Sequence, residues 1–257
     1  MTGEMMDSIK RSRRSALGLG GALAAGVLAA CGRPAATPEP SASPSSAPSP
    51  SPAAPARPHE IVHGPRTRRA VALTFHGAGD PALTLAALAA FRDASAHVTV
   101  LAVGRWLAAN PDLAQRITGG GHELGNHTYT HPTLPDLGAS AARQEIVRCR
   151  DLLVRLTGSP GRWFRPSGTP HATPLILRLA AAAGYPECLS YDVDPLDYTD
   201  PGAAAVRSRV RAAARPGSIV SLHLGHPGTV EALPGVLTDL RDAGLAAVTV
   251  SDLVGAR

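Results

Sequence analysis

Two histidines, His127 and His131, stand four residues apart in Gly125-Asn126-His127-Thr128-Tyr129-Thr130-His131. On a helical turn that spacing puts both imidazoles on one face, where they can share a metal ion. The same pair also suits a polar loop in which each ring packs against or caps backbone, so the spacing alone leaves a metal site open. Other chemistries are excluded more firmly. Lys10 is the only lysine and lies in an N-terminal leader, which removes Schiff-base chemistry and a phosphate-binding lysine loop from the rest of the chain. There is no Gly-x-Ser-x-Gly elbow, and Ser167 lacks that context. Gly18-Leu19-Gly20-Gly21 looks like part of a dinucleotide loop but follows no strand, so it lacks the mechanical basis of that fingerprint.

The elements that must carry such residues follow from the alternation beyond Arg69. Short β-rich runs predict strands at Val71–Phe75, Val98–Val103, Trp163–Arg165, Cys188–Tyr191, Ile219–Leu222 and Ala247–Val250. Ala/Leu-rich stretches between them predict helices at Pro81–Asp93, Asp112–Thr118, Ala139–Leu156, Thr173–Ala183, Gly202–Ala214 and Val230–Ala243. This order implies an α/β domain with a parallel sheet, either a barrel or an open doubly wound sheet. In such folds reactive groups gather beyond the C-terminal ends of the strands. His76, Arg165, Asp194, Asp197 and His223 all fall at or just after a predicted strand end.

With those positions in view, five segments resemble, in order, the motifs of the polysaccharide deacetylases, carbohydrate esterase family four. They are Thr74-Phe75, Gly121 to His131, Arg165-Pro166-Ser167-Gly168, Asp194-Pro195-Leu196-Asp197-Tyr198 and Ser221-Leu222-His223. The resemblance runs from about Arg69 to the C-terminus. It implies a single domain built as a distorted (β/α) barrel, one divalent metal ion, usually Zn2+, and an acetylated polysaccharide or oligosaccharide as substrate. It assigns His127 and His131 to the metal, His223 to the general acid, Arg165 to positioning the base, and the Asp194/Asp197 segment to tuning His223. Each role is chemically sensible: the metal polarises a carbonyl and acidifies water, and a carboxylate beside an imidazole favours its protonated form. Arginine does not titrate in this range, so Arg165 can only orient and stabilise, or form a structural ion pair.

The first motif departs from the family. Where Thr-Phe-Asp-Asp-Gly is expected, this chain has Thr74-Phe75-His76-Gly77-Ala78-Gly79-Asp80. Either His76 replaces the base while the Gly77/Gly79 loop swings Asp80 onto the metal, or His76 is itself the third ligand and Asp80 the base. Asp80 followed by Pro81 is also an ordinary helix start. The expectation carried forward places His76 with Arg165, Asp194, Asp197 and His223 as catalytic groups, and Asp80, His127 and His131 on the metal. His171, His226, Trp106, Trp163, Tyr129 and Tyr198 are candidates for lining a sugar groove, the aromatics being equally good packing residues. Two other readings compete with a deacetylase: a relative that binds glycan or metal without hydrolysis, and a non-enzymatic receptor module.

The N-terminus reads as an export signal. Lys10, Arg11, Arg13 and Arg14 precede an apolar run, Ala16 to Ala30, too short to span a membrane comfortably. Ser12-Arg13-Arg14-Ser15-Ala16-Leu17 resembles a twin-arginine signal, and Leu28-Ala29-Ala30-Cys31 a lipobox whose cysteine becomes the lipid anchor. Apart from Gly32 and Thr37, residues 32–58 are Pro, Ala and Ser with three charges, Arg33, Glu39 and Arg57, a composition suited to an extended tether. The expected organisation is thus a leader over 1–30, a lipidated Cys31 with tether over 31–58, and a catalytic domain over 59–257, exported and held at the outer face of the cell membrane. The first 30 residues carry four basic and two acidic side chains, so their removal lowers the formal charge from +5 to +3. No polybasic nucleic-acid surface is implied, and a monomer is expected. Cys149 and Cys188 lack metal-type spacing; an oxidising exterior allows them to pair, and burial as free thiols is the alternative.

Overall fold

The structure is a computed structural model describing residues 58–255. The leader, the lipobox cysteine and almost all of the tether lie outside the described residues. Among the described residues seven strands, β1 (His59–Ile61), β2 (Ala70–Gly77), β3 (Thr99–Ala102), β4 (Glu123–Asn126), β5 (Glu187–Leu189), β6 (Ile219–His223) and β7 (Ala246–Val248), pair only in parallel. The helices are α1 (Pro81–Asp93), α2 (Gly104–Ala109), α3 (Asp112–Gly119), α4 (Ala139–Thr157), α5 (Pro174–Ala182), α6 (Ala203–Ala213), α7 (Pro227–Asp242) and α8 (Val250–Val254). Among the described residues no helix is long and apolar enough to cross a membrane.

One sheet runs β4-β3-β2-β6, with β7 on the start of β2, and β1-β5 forms a separate pair. Single bridges carry the pairing round: Asn126 to Phe164, Phe164 to Cys188, and Val193 to Val220. The result is an irregular (β/α) barrel, as expected, in which Trp163–Arg165 contributes one bridging residue rather than a strand.

Strand alternation decides what faces the interior. On β2, Val71, Leu73 and Phe75 pack outward under the helices, with the Phe75 ring 5.2 Å from that of Phe91 on α1. Ala70 and Ala72 face inward with Leu101, Trp163, Leu189 and Ile219, and Val250 and Leu253 of α8 close that cluster. Both faces of β2 are therefore covered, which is why the strand reads as a nearly continuous apolar run. The same alternation continues through Thr74 to His76 and delivers His76 to the inner face at the C-terminal end of the strand.

Several helix ends follow local chemistry. Asp80 caps α1 by accepting from the Ala82 backbone N–H at 2.9 Å, with Pro81 at the first helical position. Gly158 ends α4 in the left-handed region at φ 75°. Cys149 and Cys188 are free, buried thiols in different core clusters, and burial pushes each up to about 12.

Candidate metal and acid–base site

The site is built where β2 and β6 end side by side. Their register pairs His76 directly with His223, so both side chains rise from adjacent strands on the same face. His76 Nδ1 lies 2.8 Å from His223 Nε2, and His223 Nδ1 lies 2.8 Å from Asp197 Oδ1. Arg165 Nη1 reaches His76 Nε2 at 3.2 Å. Arginine can only donate and an ionised carboxylate can only accept, so the two ends settle the tautomers between them. Arg165 donates to His76 Nε2, His76 Nδ1–H donates to His223 Nε2, and His223 Nδ1–H donates to Asp197.

Each end of this chain is anchored. Asp197 is 1% exposed and also accepts from the His223 backbone N–H at 2.8 Å and from Thr229 Oγ1 at 2.7 Å. The Arg165 guanidinium donates to the carbonyls of Leu189 and Ser190 at 3.2 and 2.9 Å. Burial pushes its pKa down to about 9, leaving it cationic at neutral pH. Burial, and then the neighbouring His127, His223 and Arg165, hold His76 well below the usual imidazole range. A neutral His76 is what its acceptor role at Nε2 requires.

His76 stacks on His127, ring centroids 4.0 Å apart, and His131 meets His127 edge-on at 4.9 Å. One ring nitrogen from each of the three lies within 4.8 Å of the others, a spacing that fits a metal ion. The condition of His127 supports that fit. Its Nδ1–H donates to the Arg165 carbonyl at 2.9 Å, while its Nε2, on a residue 1% exposed, has no partner among the described residues. A ring fixed through one nitrogen with the other bare and buried is the usual state of a metal-ligating histidine. Burial, followed by His131, keeps this ring well below the ordinary range and therefore neutral.

Three expectations need correction. His127 and His131 do not share a helical face: His127 follows β4, and Thr128 and His131 adopt left-handed φ values of 66° and 62° in an irregular turn. Asp80 is not with the histidines, because its carboxylate is spent on capping α1. The glycine loop before it is not free to swing: Gly79 accepts from Trp106 Nε1 at 2.9 Å, and a Cβ at Gly79 would come within 2.4 Å of Gly225 Cα. His76 occupies the place beside the two other histidines instead. Asp194 does not touch His223; its Oδ1 accepts from the Leu196 N–H at 2.8 Å, shaping the loop that carries Asp197, and it lines the cleft.

One residue of the site was not foreseen. Glu145 on α4, 8% exposed, accepts from the Tyr129 and Thr130 backbone N–H groups at 2.9 and 2.7 Å and from Thr130 Oγ1 at 2.9 Å. It clamps the turn between His127 and His131. The available signal was a carboxylate within the apolar stripe Ala142, Ile146, Cys149 and Leu153, where an ionised group needs partners. Of the other candidates, Tyr198 and His226 line the cleft, Trp163 fills the barrel, and His171 is tied to Glu60 at 3.0 Å.

Residues 63–187 match the polysaccharide deacetylase family. A chitooligosaccharide deacetylase of Bradyrhizobium is 33% identical, covering 62% of this chain and 72% of that protein. Among solved structures, BA3943 of Bacillus anthracis, described as a CE4 family pseudoenzyme, is 25% identical with a TM-score of 0.73, covering 78% of this chain and 70% of that one. A peptidoglycan-N-acetylglucosamine deacetylase of Bacillus cereus is 31% identical, covering 74% of this chain and 90% of that protein. Together with the order of the motifs and the barrel that presents them, these relationships show that the chain belongs to the polysaccharide deacetylase family, hydrolases of carbon–nitrogen bonds other than peptide bonds.

Proposed function

We propose that the chain removes acetyl groups from an extracytoplasmic polysaccharide, a cell-wall glycan, with a divalent metal, Zn2+, held by His127, His131 and His76; protonated at Nδ1, His76 would offer Nε2 and give up its hydrogen bond from Arg165 to do so. The observation that carries this reading is the bare, buried Nε2 of His127 between two further imidazoles and beside the His223–Asp197 pair. When bound, the cation polarises the acetyl carbonyl and acidifies a water molecule. Asp197 fixes the His223 ring through Nδ1, leaving Nε2 as the atom that takes up the proton released by the attacking water and passes it to the departing nitrogen. The hydrogen bond from His76 Nδ1–H to that atom fixes the orientation of the His223 ring. Arg165, buried beside His76 and pinned by two carbonyls, supplies a fixed positive charge behind the histidines. The protein is exported and anchored through a lipidated Cys31, with residues 32–58 as its tether, and acts as a monomer; replacing Cys31 with Ser is expected to release it from the membrane fraction.

The decisive experiment measures bound metal by elemental analysis and acetate release from acetylated glycans, for the full chain and for His127→Ala. Near-stoichiometric zinc and acetate release, both lost in the variant, support the reading. Absence of metal after incubation with zinc would sink it. The absence of both first-motif carboxylates favours a second reading, a glycan-binding relative without hydrolysis, which metal retention without acetate release would support.

A further inference from the structure

The cleft has two arms that share His76, His131, Tyr198 and His223. The smaller, about 310 Å³, runs toward Tyr191, Asp194 and Pro170. The larger, about 750 Å³, runs toward α2 and the start of α7. A polymer whose reacting group sits at the shared histidines and which continues on both sides of it has the larger arm open to one of its neighbouring units.

That arm has a distinct chemistry. Ala78, Val103, Trp106 and Ala109 give it an apolar surface, and Arg105 and His226 stand among the remaining lining residues. No carboxylate lines it among the described residues. Nearby Asp200 is committed to His226 Nδ1 at 2.8 Å. Arg105 is exposed, and its guanidinium has no hydrogen-bond or ion-pair partner among the described residues. Asn110, Thr130 and Tyr198 offer acceptors for sugar hydroxyls, and Arg105 adds to them a free five-donor fork that no carboxylate of the arm neutralises. Such a fork matches a carboxylate.

We propose that the larger arm binds a carboxylate-bearing substituent of the glycan, with Arg105 as the residue that selects acidic over neutral polymers. This rests on the deacetylase reading of the same cleft and adds the chemical class of the substrate. The test is calorimetric binding to the full chain of two matched N-acetylglucosamine oligomers, one neutral and one carrying lactyl ether carboxylates. The acidic oligomer is expected to bind about tenfold more tightly at low salt, the scale of one charge-assisted hydrogen bond. Arg105→Gln should bring the two affinities to near parity by weakening the acidic ligand alone, and Arg105→Lys should restore part of the difference. Parity in the unmodified protein, no measurable binding of the acidic oligomer, or equal weakening of both by Arg105→Gln would overturn the proposal. Acetate release from the same oligomers is scored separately, so failure of hydrolysis bears on the deacetylase reading while the affinity ratio still decides the role of Arg105.

Discussion

His76 Nδ1 donates to His223 Nε2 across 2.8 Å because the parallel register of β2 and β6 sets the two residues side by side. The contact joins a first-motif residue to the residue assigned as general acid and continues to Asp197. Asp197→Asn replaces one acceptor with an amide that can turn an N–H toward His223 Nδ1–H, disturbing the tautomer. Loss of the correct tautomer in a comparable His–Asp pair costs on the order of 10⁴ in kcat. Here a loss of at least about 10² is expected with the fold retained, read by acetate release beside circular dichroism. Unchanged turnover would remove His223 and Asp197 from the chemistry.

The segment from His76 to Asp80 gives two opposite expectations. Asp80→Ala should leave bound metal unchanged and cost about 1 kcal/mol through the lost helix cap. Gly77→Asp should neither strengthen metal binding nor leave stability intact. Residue 77 faces away from His76 on the strand, and a Cβ there would lie 2.8 Å from the Trp106 ring. Overpacking of that kind costs about 1–3 kcal/mol. Thermal melts with metal analysis check both, and metal loss in Asp80→Ala would restore Asp80 as a ligand.

Glu145 is expected to act on the metal only through the turn it clamps. Glu145→Ala strips partners from two backbone N–H groups in a turn with two non-glycine left-handed residues, at about 1–3 kcal/mol per unsatisfied group. Metal affinity should fall in Glu145→Ala and recover partly in Glu145→Gln. In a His131→Ala background the further loss of affinity should be small, since the ligand that Glu145 positions is already gone. Full additivity of the two changes would assign Glu145 to stability alone.

Stability should fall with acid before the carboxylates titrate. Burial, and then the nearby His97, lowers His122 from 6.5 to about 4. Between those values the unfolded chain binds a proton that the folded chain refuses, so stability is lost as pH falls through 6.5 and the loss levels off near 4. Chemical denaturation of the metal-free chain across that window measures the slope. His122→Gln should flatten part of it, and an identical slope in that variant would exclude His122 as a source.

Much of the architecture was legible because buried parallel strands and amphipathic helices leave periodic apolar patterns. β2, β3 and β6 and the helices α1 and α3–α7 lie close to where those patterns put them. β4 was not legible: Glu-Leu-Gly-Asn has little intrinsic strand preference and is extended because β3 lies on one side and Phe164 bridges it on the other. β1 and α8 were missed for the same reason, being short segments whose state is set by what they pack against.

By itself the sequence determined the parallel α/β class, the order of the motifs, the histidines available to a metal and a segment after Thr74-Phe75 with His76 and no carboxylate before Asp80. Tertiary structure alone decided that His76, and not Asp80, stands with His127 and His131. Spacing within one segment could pair His127 only with His131, whereas strand register, a relation between residues 147 positions apart, brought His76 to His223. Packing of Gly79 against Gly225 likewise kept Asp80 on its helix. Local pattern reports which face a side chain takes. Only the closing of the barrel determines which other side chains meet it there.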